Sequence, residues 1–110
     1  MSIEIEVHED ASGSRPFEKW FDALPAAHAA KITTALVRIG AGARSDLKSV
    51  GAGDSEWKID WGPGIRLYLA FDGTRLVILF GGGTKTRQQN DIVEAQLRWS
   101  DYKRRKAEKE

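Results

Sequence analysis

The stretch from Glu56 to Gly81 constrains this chain most, because it holds three apolar runs separated by two turn signals. Trp57, Ile59 and Trp61 alternate with Lys58 and Asp60, and Ile65, Leu67, Leu69 and Phe71 alternate with Arg66 and Tyr68. A repeat of two sends successive side chains to opposite faces, so both runs read as strands with one buried face. Gly62-Pro63-Gly64 joins them. Antiparallel neighbours must present like faces, and a short loop here sets Trp61 opposite Ile65, Asp60 opposite Arg66 and Lys58 opposite Tyr68. Asp72-Gly73 is a hairpin signal. It sets Phe71 opposite Thr74, Leu69 opposite Leu76 and Leu67 opposite Ile78, and leaves Val77 and Leu79 on the Arg66 face. The run from Leu76 to Phe80 is apolar on both faces, as an interior strand is. The expected unit is a three-stranded meander with a core face and an open face that carries Lys58, Asp60, Arg66 and Tyr68.

The remaining elements fit around it. Ile3, Ile5 and Val7 alternate with charged residues and give a first strand, which pairs at the meander's edge. Ser14 caps a helix whose first turn takes Pro16, and Phe17, Trp20, Phe21 and Leu24 form its apolar stripe until Pro25 ends it. A second helix from about Ala26 to Ile39 carries Ala29, Ile32, Leu36 and Ile39 on one side, and Gly40 and Gly42 stop it. The two form a helical hairpin that covers the core face. Residues 41–54 read as a glycine-rich connection anchored by Leu47 and Val50. After the meander, Thr86 and Gln89 make a capping box, and Ile92, Ala95, Trp99 and Tyr102 stripe a last helix. The order is β-α-α-β-β-β-α, an α+β fold with a twisted, mainly antiparallel sheet, a helical hairpin on one face and a C-terminal helix.

At 110 residues the chain reads as one domain with a core of its own. It contains no cysteine, and His8 and His28 lie outside any ligand spacing, so neither a metal site nor a cofactor is expected. No apolar run reaches the length of a membrane span and no leader pattern is visible, so a cytoplasmic protein is the expectation. The net charge of +1 does not announce a nucleic-acid binder. Lys103, Arg104, Arg105, Lys106 and Lys109 crowd the end of the chain. They read as a solvated helix end, frayed over about 103–110, where cations favour the helix dipole, with a nucleic-acid or partner contact as the alternative.

Five basic residues can converge near the open face. Lys58 and Arg66 project from it, Lys48 precedes the first meander strand, and Lys85 and Arg87 follow the last. Gly81-Gly82-Gly83-Thr84-Lys85-Thr86 lacks the spacing of a phosphate-binding P-loop. Lysines and an arginine around a phosphate, with Tyr68 as a neighbouring aromatic, are the groups RNA backbone chemistry uses. The plainer alternative pairs Arg66 with Asp60 across the strands and leaves Lys58 solvated. On the alternation, Trp57 and Trp61 belong to the core rather than to a base-stacking platform.

From FEKWFDALP near the start through LKSVGAGDSEWKIDWGPGIRLYLAFDGTRLVILFGGGTKTRQQNDI, the chain resembles the RelE/ParE superfamily of bacterial type II toxins. It is most similar to the HigB-like branch of addiction-module killer proteins, over roughly Phe17 to Ala95. The resemblance implies a toxin that cuts mRNA on the ribosome and is held inactive by a cognate antitoxin protein. It implies Arg66 as the residue that stabilises the scissile phosphate, and Lys58 and Lys85 as base, acid or phosphate clamp. Lys48, Arg87 and Tyr68 would contact RNA. No histidine follows His28, a departure from many nucleases of the superfamily. ParE-type relatives inhibit DNA gyrase without cutting, which is the alternative reading, and a partner-binding domain without toxicity is a third.

Overall fold

The computed structural model describes residues 3–109. In chain order it contains β1 (Glu4–Val7), α1 (Pro16–Asp22), α2 (Ala26–Gly40), β2 (Leu47–Gly51), β3 (Asp54–Ile59), β4 (Ile65–Asp72), β5 (Leu76–Thr84), a 3-10 turn (Lys85–Arg87) and α3 (Gln88–Lys109). The five strands form one mixed sheet in the order β1-β5-β4-β3-β2. β1 runs parallel to β5 and every other neighbour is antiparallel. The class is α+β, as expected from the sequence. The sheet has one strand more than expected, because Leu47–Gly51 pairs with β3 rather than looping past it. Its residues, LKSVG, carry little strand signal, and the pairing is what orders them.

Both hairpin registers differ from the sequence expectation. Across β3 and β4, Ile59 faces Ile65, Lys58 faces Arg66 and Glu56 faces Tyr68. The connecting loop is therefore two residues longer than the Gly-Pro-Gly turn alone, and a shift of two keeps every side chain on its expected face. Across β4 and β5, Asp72 pairs with Leu76, Phe71 with Val77 and Leu69 with Leu79. Gly73, at φ 79°, opens a loop one residue longer than the dipeptide signal suggests. That odd shift moves Val77 and Leu79 to the core face and Ile78 to the other. The register shifts again between Tyr68 and Leu69, so Phe80 and Gly81 share a bulge on β5.

The inner face of the sheet holds Trp57, Ile65, Leu67, Leu69, Val77 and Leu79, packed against Phe17 of α1 and Ile32, Ala35 and Ile39 of α2. This is the helical hairpin expected from the two stripes, although Ser14 does not cap α1: Arg15 occupies that position without a side-chain bond. The outer face is not open. α3 lies on it, and Tyr68, Ala70, Ile78 and Phe80 pack beneath Ala95 and Trp99 in a second core, with Ile92 and Tyr102 at its edge. The expected apolar stripe of α3 is thus real, and its destination is the face taken for solvent.

The glycines of β5 make that docking possible. A Cβ at Gly83 would overlap the Asp91 carboxylate, one at Gly82 would enter the Trp20 ring, and one at Gly81 would stand 3.1 Å from Arg98 Nη1. The triplet is a clearance for α1 and α3, not a phosphate loop. The start of α3 also differs from expectation. Thr84 precedes the 3-10 turn without a side-chain bond, so Thr86 lies inside that turn and makes no capping box. The basic tail is helical in the structure. α3 continues to Lys109, Arg104 and Arg105 both reach Asp101, and Lys106 Nζ bonds Asp72 at 2.8 Å. Glu110 lies outside the described residues. No helix among those residues is long and apolar enough to cross a membrane.

Candidate functional site

The outer face becomes polar toward one end of the sheet. Strand pairing sets up two rungs there: Lys48, Glu56, Tyr68 and Gly81 across β2 to β5, then Lys58, Arg66 and Gly83 across β3 to β5. Gln88 in the first turn of α3 reaches down onto them. Of these residues Lys48, Glu56, Lys58, Arg66 and Gln88, with Asp46, line a cleft of about 330 Å³.

Arg66 is the fixed cation of this cleft, only 7% exposed. Its Nε stands 2.6 Å from Glu56 Oε1, a close ion pair whose N–H does not lie on a hydrogen-bond line. Its Nη1 is buried without a hydrogen-bond partner among the described residues. Glu56 is 4% exposed, and Gln88 Nε2 donates to both of its oxygens at 3.1 Å. The expected partner of Arg66, Asp60, is two positions out of register. Glu56 replaces it because it neighbours Arg66 diagonally on the same face. A buried pair of this kind costs about 3–5 kcal/mol to break from one side, since the survivor is left charged in a dry environment. Lys48 and Lys58 are exposed above it. Asp46 answers Arg38 at 3.1 Å outside the cleft.

Three of the six expected site residues thus come together: Lys48, Lys58 and Arg66. Lys85 and Arg87 sit exposed on the 3-10 turn and are not among the residues lining the cleft. Arg87 instead lines a second cavity on the other flank of α3. Tyr68 is the clear correction: it is 1% exposed beneath α3, so its ring cannot stack on a base at the surface. Burial, first, and the nearby Glu56 and Asp91 carboxylates raise its hydroxyl's pKa, which keeps it protonated. Glu56 and Gln88 were missed. Their signal was present in the alternation, since Glu56 shares the face of Lys58, but it became visible only once α3 was known to lie on that face.

The other end of the outer face carries groups of a different kind. His8 is 2% exposed, with Nε2 3.5 Å from Asp101, and burial lowers its pKa against the pull of Asp101. Asp54, 1% exposed, has both carboxylate oxygens without a partner, and burial lifts its pKa to about 7. Tyr102 donates to Asp72 at 2.6 Å and lies at this end, away from the cleft. No group of three or more His, Asp or Glu side chains among the described residues is placed to hold a metal ion.

No protein-family model matches the chain, and no solved structure matches it. An uncharacterized protein of Haemophilus influenzae is 42% identical over 82 residues, which cover 74% of this chain and 83% of that protein.

Proposed function

The chain belongs to the same family as this Haemophilus influenzae protein, and from the cleft its residues build we propose that it is a toxin of the RelE/ParE type. In this reading it cuts mRNA on the ribosome and is silenced by an antitoxin protein that covers the basic cleft. The observation that carries it is the gathering of Lys48, Lys58 and Arg66 in one cleft around the Glu56 carboxylate. Arg66, preset by Glu56, stabilises the charge that grows on the phosphate oxygens. The 2′-hydroxyl attacks phosphorus and its proton passes to Glu56. The bond to the 5′-oxygen breaks, and that oxygen takes a proton from Lys58. The products are a 2′,3′-cyclic phosphate and a 5′-hydroxyl end. Lys48 holds the backbone beside the break as a mobile point charge.

The test is induction of the wild type and of Lys58→Ala in a bacterial host, with mapping of mRNA 5′ ends. Lys58 is exposed, so its removal leaves the fold in place. New ends inside translated codons that fade with the variant are expected. Growth arrest without new ends would instead favour a gyrase-binding protein, and unimpaired growth would favour a partner-binding domain without toxicity.

A further inference from the structure

A cavity of about 220 Å³ lies on the flank of α3 away from the cleft, between α1, the glycines of β5 and α3 itself. Trp20 and Gly82 bound it from below, and Tyr68, Arg87, Asp91 and Arg98 carry its polar chemistry. Two of these groups are unanswered within the described residues. The Tyr68 hydroxyl is buried without a hydrogen-bond partner, in a residue 1% exposed. Asp91 is half-buried, with its carboxylate over Gly83. Loss of water raises its pKa, with Arg87 opposing, and no hydrogen bond or salt bridge among the described residues takes up its oxygens.

The chemistry of the walls narrows the ligand. Asp91 and Glu94 are balanced by Arg87 and Arg98, so a neutral group fits better than an ion. A carboxylate offers two acceptors side by side. Among the four RNA bases only guanine presents two donors side by side, its N1–H and exocyclic amine, and its O6 and N7 are acceptors suited to arginine or a hydroxyl. Unstacked bases in single-stranded RNA are commonly held against aromatic side chains while their edges are read. We propose that this cavity is a guanine pocket, in which Asp91 accepts from the base, Tyr68 and Arg87 donate to it, and Trp20 is the flat wall. Asp91 lies over Gly83, the strand partner of Arg66, so the pocket adjoins the proposed site of phosphate contact by one strand. That the guanine belongs to RNA, rather than to a free nucleotide, rests on the function proposed above.

Isothermal titration of the purified protein with GMP, AMP, CMP and UMP tests the pocket without ribosomes. GMP should bind at least about tenfold more tightly than the others, and Asp91→Asn should abolish that preference. Equal binding of all four, no binding of any, or an unaltered preference in Asp91→Asn would overturn the proposal. A second titration uses a short single-stranded RNA with one guanine. If the RNA binds more tightly than GMP, and Lys58→Ala removes that gain, the pocket holds an RNA base. If the RNA binds no better than GMP, the guanine pocket stands and its link to RNA fails.

Discussion

The two faces of the sheet are built from different material. The inner face is an apolar layer closed by α1 and α2, and no buried ionisable side chain interrupts it among the described residues. The outer face has an apolar middle under Ala95 and Trp99, but among the described residues it also buries His8, Asp54, Glu56 and Arg66, together with the Tyr68 hydroxyl. Burying a charge is costly unless it is paired. The inner face therefore supplies stability, while the outer face spends part of what it gains from α3 on holding polar groups in fixed positions. The difference also separates structure from chemistry: the candidate cleft and the guanine pocket both flank α3, and they meet the inner core at its margin, through Leu47 and Trp20.

The largest effect that can break this comparison is on the inner face. Trp57, 1% exposed, packs in the core, and Trp57→Ala should cost about 3–5 kcal/mol in chemical denaturation. A cost below about 1 kcal/mol would mean that the inner face is not the main source of stability.

Next is the far end of the outer face. Asp54 holds its proton to about pH 7 in the folded protein, whereas the unfolded carboxyl releases it near pH 4. Between those values the folded state binds more protons, so stability falls as pH rises from about 4 to about 7. Lys103 opposes the shift and trims the effect. Asp54→Asn should therefore raise stability by about 2–4 kcal/mol at pH 8 and much less at pH 4, as read from denaturation curves at both values. An equal gain at both would show that ionisation of Asp54 is not what the fold resists.

A smaller loss is expected at the join between the faces. Gly82→Ala drives a methyl into the Trp20 ring, and the overpacking should cost about 1–3 kcal/mol with a visible change in tryptophan fluorescence. The smallest effect separates two accounts of α3. A capping box at Thr86 would make Thr86→Ala cost about 1 kcal/mol. Since Thr86 lies inside the 3-10 turn, the expected cost is within about 0.5 kcal/mol.

Much of the fold was legible because period-two and period-3.6 patterns report burial directly. β1, β3, β4, β5, α1, α2 and the stripe of α3 could all be read that way. β2 could not, since LKSVG has no clean alternation and acquires strand geometry by pairing. The faces of β5 were misassigned because its run is apolar on both sides, so only the loop length decides the register, and Gly73 tolerates more than one. The candidate site was half legible. Lys58 and Arg66 follow from alternation, and Lys48 from its place before the meander. Glu56, Gln88 and Asp91 required the path of α3, which no local pattern specifies. The exposure of the Tyr68 ring was misjudged for the same reason: its face was right, and what covers that face was unknown.

The central claim is that the cleft around Arg66 performs chemistry on RNA, and the most direct measurement is cleavage by purified protein on ribosomes programmed with a defined mRNA. The wild type should release fragments with 2′,3′-cyclic phosphate and 5′-hydroxyl ends, and Lys58→Ala should slow that release by about a hundredfold at an unchanged unfolding temperature. No cleavage by the wild type, or equal rates for the two proteins, would contradict the account.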